Sequence, residues 1–190
     1  KDEKKYKKIF NPNFALKISP EHTKDNRDND SKIDINNLYS FDRNIGKDYV
    51  EGGLSLTYGS EYSIYNKQKS LDVLSFKIAN NLRLSENNDL PRNSQIDEQI
   101  SSVLNEVTFK PSNILKINYS SSIKNNFDEI NYENLSAELK INNLETSFDY
   151  SNQNDLNDNS YLSNTTSFKL DDSNSLSFKT RRNKKINLNE

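Results

Sequence analysis

From Leu54 onward the chain alternates: the even positions read Leu54, Leu56, Tyr58, Tyr62 and Ile64, and the odd ones Ser55, Thr57, Gly59, Glu61 and Ser63. A period of two places the two sets on opposite sides of an extended backbone, so this run predicts a strand with one apolar and one polar face. The pattern returns at Leu74, Phe76, Ile78, Leu82 and Leu84, and more weakly at Val103, Val107 and Phe109. It is clear again at Leu115, Ile117, Tyr119 and Ile123, and at Leu135, Ala137, Leu139 and Ile141. Leu144, Phe148 and Tyr150, then Leu162, Phe168 and Leu170, then Leu176 and Phe178 leading to Arg181 complete the series, with Phe14, Leu16 and Ile18 near its start. About nine strands are expected, and no helical stripe competes with them.

The connections alternate as well. They run long (about 20–47), short (66–71), long (85–98), short (110–113), medium (124–130), short (141–143), medium (152–160) and short (171–174). Short ones carry turn chemistry, as in Lys110-Pro111-Ser112-Asn113, Asn142-Asn143 and Asp171-Asp172-Ser173-Asn174, whereas longer ones are polar and rich in Asn and Asp. In an up-and-down meander successive connections lie at opposite ends, so one end has tight turns and the other large loops. Outer-membrane barrels share that asymmetry, and strands of roughly 8–13 residues bracket the 9–11 needed to cross a bilayer at a tilt. Lys77, Lys116, Asn118, Glu145, Asp149, Lys169 and Lys179 would then face a watery lumen. A small soluble barrel inverts the assignment, with these charges on its wet outside. Periodicity alone permits both; strand length and loop asymmetry favour the lumen.

Composition narrows the chemistry. The 190 residues include no Cys, which removes disulfides, thiolate metal sites and a cysteine nucleophile. One histidine, His22, sits in a polar tract and leaves little scope for Ser-His-Asp catalysis. A net charge of -2 and a pI near 5.6 argue against a nucleic-acid surface. No apolar run approaches the roughly 20 residues of a spanning helix. Thirty-one asparagines and a mean hydropathy of -0.99 favour disorder on composition alone; the periodicity overrules that, and a genome poor in G and C explains the Asn, Lys and Ile together. The chain starts at Lys1, without Met or a secretory signal, and is expected to be a fragment or a processed chain.

Several local features need a plainer reading. Gly53-Leu54-Ser55-Leu56-Thr57 lacks the closing Gly of a nucleophile elbow, which leaves Ser55 an ordinary polar-face residue. Gly52 and Gly53 have no Gly-Lys-Ser/Thr after them and are expected to form a tight bend where the loop re-enters the sheet. Asp25, Asp28, Asp30 and Asp34 miss the EF-hand spacing and read as a solvated loop, with weak divalent binding among lipid phosphates the alternative. Arg181, Arg182, Lys184 and Lys185 form the one basic cluster, at the loop end of the last expected strand. It is a candidate contact for anionic lipid phosphates or a solvated loop tip. Tyr49, Tyr58, Tyr62, Tyr65, Tyr119, Tyr132, Tyr150 and Tyr161 are candidates for aromatic girdles. No catalytic, cofactor-binding or metal-ligating residue stands out, and an enzyme is not expected.

One segment is more specific. Asn37-Leu38-Tyr39-Ser40-Phe41-Asp42-Arg43-Asn44-Ile45-Gly46-Lys47-Asp48-Tyr49-Val50-Glu51-Gly52-Gly53 runs into Leu54-Ser55-Leu56-Thr57-Tyr58-Gly59. It resembles the loop-to-strand signature of the LptD, or organic-solvent-tolerance, family of outer-membrane proteins that assemble lipopolysaccharide. Asn37, Leu38, Asp42, Arg43, Gly46, Asp48, Glu51, Gly52, Gly53, Tyr58 and Gly59 fit that pattern in order. Leu90-Pro91-Arg92-Asn93-Ser94, Lys110-Pro111-Ser112-Asn113 and the strand through Tyr119 resemble its later hairpins, so the likeness spans roughly 10–185.

The resemblance implies an all-β antiparallel up-and-down meander, residues 1–190 forming part of a transmembrane outer-membrane β-barrel. It further implies delivery of lipopolysaccharide to the outer leaflet of a Gram-negative outer membrane, with a plug lipoprotein of the LptE type. Periplasmic transport-bridge proteins would be met through an amino-terminal domain that is absent here, and no cofactor or nucleic acid is implied. The cysteines that join the two domains in relatives are lacking, and Asn187-Leu188-Asn189-Glu190 is not an aromatic-terminated closing strand. The chain is therefore expected to be an interior stretch of the barrel, with the lateral gate outside it. A porin-like or surface-binding barrel and a soluble all-β binding module are the alternatives.

Overall fold

The computed structural model describes residues 5–20, 25, 27, 33–41, 43, 51–92, 95–154, 159–171, 174–184 and 188–189. Among them the chain forms one antiparallel sheet with its strands in sequence order. These are β1 (Tyr6–Ser19), β2 (Gly53–Asn66), β3 (Leu71–Arg83), β4 (Val103–Phe109), β5 (Leu115–Ile123), β6 (Ile130–Ile141), β7 (Leu144–Gln153), β8 (Asn159–Lys169), β9 (Ser175–Asn183) and the two-residue β10 (Leu188–Asn189). All nine expected strands form. Leu84 and Leu170 lie just past strand ends, and β10 carries no alternation that two residues could reveal. The sheet does not close on itself.

Turn chemistry explains the tight end. Asn66 Oδ1 accepts from the backbone N–H groups of Gln68 and Lys69, at 3.0 and 3.2 Å, and Asp171 Oδ1 accepts from that of Asn174 at 2.8 Å. Such side-chain acceptors stand in for backbone partners in a reversing chain. Asn142 takes the left-handed conformation, φ 49°, in the two-residue β6–β7 turn, as asparagine does more readily than most residues.

Register then sorts the side chains, because directly opposed residues share a face. One face collects Phe14, Tyr58 and Asn80 in one row, Phe10, Tyr62 and Phe76 in another, and Phe109 with Ile117 and Ala137 in a third. It continues through Phe148 and, at the far side, Phe168 with Leu176. This apolar face is the bare one. Phe14 is 72% exposed, Leu176 68%, and Phe76 and Phe148 38% each. Leu54, Phe76, Ile117 and Phe148 therefore do not gather in a dry centre.

The opposite face carries charge pairs and amides. Lys77 and Glu106 are directly opposed and bonded at 2.9 Å, and Lys116 faces Glu138. At the loop end this polar face is covered by residues from the β1–β2 and β3–β4 connections. Ile33, Ile35, Leu38, Leu90 and Ile96 pack there against Ala79 and Leu104, with Tyr39 at the margin. The Tyr132 hydroxyl donates to the Ile33 carbonyl at 3.1 Å, joining β6 to the first long loop. The buried cluster thus lies between loops and the polar wall, while the apolar wall has no protein cover among the described residues.

Candidate functional site

The loop–wall junction holds the densest chemistry. Lys17, Ser55 and Arg83 stand in one row across β1, β2 and β3 on the polar face. Two cations flanking a hydroxyl need an acid, and none of the three supplies one. Glu51 fills that need from the loop, two residues before β2 begins. Arg43 Nε donates to its Oε2 at 2.8 Å and Lys17 Nζ donates to the same oxygen at 3.0 Å. Oε1 accepts from Arg43 Nη2 and Arg83 Nη2. Arg43, Glu51 and Arg83 are each no more than 2% exposed, so the cluster is shielded from water and its geometry is demanding.

The surrounding residues lock the loop into place. Arg43 Nη2 also donates to Ser55 Oγ at 3.1 Å, and Arg83 Nη1 donates to the Gly52 carbonyl at 2.8 Å. Gly53 has φ +92°, a value that L side chains resist, and this lets Gly52 turn its carbonyl to Arg83 while β2 starts. Gly59 has a different reason. A Cβ there would run into the Ile78 carbonyl, the Tyr39 hydroxyl and, at 2.7 Å, the Ala79 Cβ. Tyr39 of the loop lies over the bare glycine. Upstream, the Asn36 and Asn37 backbone N–H groups donate to Asp34 Oδ1 at 2.8 and 3.1 Å, while the Asp34 N–H donates to Asn37 Oδ1 at 2.9 Å. This reciprocal turn presents Leu38 to the buried cluster.

Electrostatics favours the charged form of Glu51. Burial pushes its carboxyl up, but Arg43 first, then Lys17 and Arg83, outweigh that and hold it below its ordinary value.

Of the eleven residues picked from sequence, Asn37, Leu38, Arg43, Glu51, Gly52, Gly53 and Gly59 meet at this junction, whereas Tyr58 points to the apolar face in the row of Phe14. Asp42, Gly46 and Asp48 lie outside the described residues. Lys17, Tyr39, Ser55 and Arg83 belong to the same junction and were not singled out as members of it. Their signal is register: only strand pairing reveals that Lys17, Ser55 and Arg83 are neighbours.

The basic cluster divides between faces. The Arg181 guanidinium stacks 4.5 Å from the centroid of the Tyr161 ring and, opposite Ser163, belongs to the polar face. Arg182 lies opposite Leu162, and Lys184 Nζ is 4.9 Å from the ring centroid of Tyr150, which also opposes Leu162. Arg182 and Lys184 therefore share the apolar side near the loop end, and Lys185 lies outside the described residues. The tyrosines divide likewise. Tyr58, Tyr62, Tyr119 and Tyr150 stand on the apolar face, Tyr65, Tyr132 and Tyr161 on the polar one, and Tyr49 is outside the described residues. Asp25 pairs with Arg27, which holds its carboxyl near about 2, and Asp34 is spent on its own turn; Asp28, Asp30 and His22 are outside the described residues.

A family model described as LptD, LPS transport system D, matches residues 1–184. No curated protein matches the chain.

Proposed function

We propose, from the premise that this chain belongs to the LptD family of lipopolysaccharide transport system D, that it forms one arc of the barrel wall through which lipopolysaccharide reaches the outer leaflet. The family works in lipopolysaccharide transport and assembly at the outer membrane. The observation that carries the finer reading is the inverted layout of the sheet: an apolar face left bare along its length, and a polar face bearing ion pairs and infolded loops. A bilayer stabilises the first at about 25 cal/mol per Å² removed from water, and a watery lumen tolerates the second.

In this reading the edges of β1 and β10, unpaired among the described residues, pair with further strands, because hydrocarbon leaves no open sheet edge unsatisfied. The tight turns face the periplasm and the long loops the exterior. A plug lipoprotein of the LptE type occupies the lumen, and a periplasmic domain takes the lipid from transport-bridge proteins. Arg182 and Lys184 meet lipid phosphates at the rim, where a cation on the lipid face costs about 0–1 kcal/mol instead of the roughly 2–4 at the midplane.

Depletion of the full-length protein tests the reading. Lipopolysaccharide is expected to vanish from the cell surface, and a small lipoprotein to copurify with the barrel. Unchanged surface lipopolysaccharide together with free ion conductance by the purified barrel would make it a channel instead.

A further inference from the structure

Among the described residues of the loop–wall junction positive charge outnumbers negative. Lys17, Arg43 and Arg83 converge there on the carboxylate of Glu51. Arg83 has further support, from the Gly52 and Ile96 carbonyls and the field of Asp97. Lys17 and Arg43 share what remains. The guanidinium of Arg43 is 1% exposed, and its Nη1 finds no acceptor among the described residues. A buried N–H of a charged group left without an acceptor is more costly than that of a neutral one. Such a group calls for a partner.

A cavity stands beside it. Its volume is about 210 Å³, and its lining includes Lys17, Arg43 and the residues Tyr39, Ser40 and Thr57, which carry hydroxyls. Ala15, Leu16, Leu38 and Phe41 make up its apolar part, and two cations, one with an unused donor, and three hydroxyl-bearing residues make up its polar part. A tetrahedral oxyanion presents the acceptors that such a set needs, and guanidinium groups bind phosphate oxygens with favourable geometry.

We propose that this cavity is a binding site for a phosphate group, held by Lys17 and Arg43 on the lumenal side of the wall. The lipid as its source rests on the function proposed above; the chemistry of the site does not. Bound there, a phosphorylated headgroup would meet the same loop that Glu51 fastens to the wall, so cargo and loop would share one set of cations.

Calorimetric titration of inorganic phosphate into the full-length barrel in non-ionic detergent tests the site. Saturable binding is expected, weakened about tenfold by Lys17→Gln, the loss of one charge-assisted hydrogen bond, and unchanged by Lys77→Gln, whose lysine is occupied by Glu106 on the same face. Arg43→Gln is expected to abolish binding; because it also loosens Glu51, the Lys17→Gln result carries the test if that variant fails to fold. A phosphorylated lipid disaccharide that competes with phosphate, when its dephosphorylated form does not, identifies the lipid as source; competition by neither identifies free phosphate. The proposal is overturned if the wild-type barrel binds no phosphate, or if Lys17→Gln binds as tightly as wild type. It is also overturned if binding emerges only after Asp42→Asn or Asp48→Asn, since the chain's own carboxylate would then be the occupant. Surface lipopolysaccharide in the same strains reports on the transport function independently.

Discussion

The strands from β1 to β5 and those from β6 to β9 share one alternation but treat their polar face differently. In the first region the long connections fold onto that face and bury it: Ser55, Thr57, Asn81 and Arg83 are all under 5% exposed. Each polar atom enclosed there needs a partner, and the loops supply many of them, as when the Asn81 backbone N–H donates to Ser101 Oγ at 2.9 Å. In the second region the connections are short or medium, β7 has no buried position and β9 is exposed along nearly its whole length. None of Ser147, Asp149, Ser163 and Lys179 there is buried. A polar strand face can thus be satisfied by infolded chain or by a wet lumen, and the choice follows from loop length.

The comparison can be broken most severely at Glu51. Glu51→Gln leaves three cations around a neutral amide, and a buried pair deprived of one partner loses about 3–5 kcal/mol. We expect trypsin to cut at Arg43 in the folded barrel of this variant and not in wild type. Asp149→Asn, in the bare region, should change stability by less than about 0.5 kcal/mol.

Gly59→Ala is expected to cost about 1–3 kcal/mol by crowding the Ile78 carbonyl and Ala79 across β3 and forcing Tyr39 off the wall, measured as lost fluorescence anisotropy of a probe attached to the 33–41 loop. Ser163→Ala, on the uncovered stretch of the polar face, should leave its own region unchanged.

Acid sharpens the contrast more gently. The carboxyl of Glu51 is held below its reference value of 4.5. A carboxyl depressed in the folded state contributes stability that is complete above its unfolded pKa and fades as pH falls through the folded one. Trypsin-resistant docking at Arg43, assayed after pulses of acid, should therefore persist down to about pH 4.5 and be lost below it. Smallest of all, Asn37→Ala removes one acceptor from the Asp34 turn, worth about 0.5–1.5 kcal/mol; partial opening of the same loop by hydrogen exchange is the check.

How far the sequence reaches follows from the range of each signal. A two-residue period is local, so Leu54 to Ile64 announced β2 without help, and Asn142-Asn143 announced its turn. The split of Arg181 and Arg182 onto opposite faces was likewise available from parity. The row of Lys17, Ser55 and Arg83 was not, because it depends on pairing strands separated by the 33 residues between Ser19 and Gly53. The reason for Gly59 was hidden in the same way: an aromatic ring twenty residues upstream lies on it. Asparagine abundance misled for a related reason. Asn81, Asn105 and Asn131 spend their amides across strands and loops, which composition counts as polarity.

The most direct measurement uses the absence of cysteine from the chain. Spin labels placed singly at residues 144–150 of the full-length barrel in lipid vesicles report collision with oxygen, which concentrates in hydrocarbon, and with a water-soluble nickel chelate. Labels at Leu144, Phe148 and Tyr150 should collide with oxygen and those at Glu145, Ser147 and Asp149 with nickel, alternating residue by residue. The reverse alternation, or protection of Phe148 from both reagents, would contradict an apolar face turned to lipid.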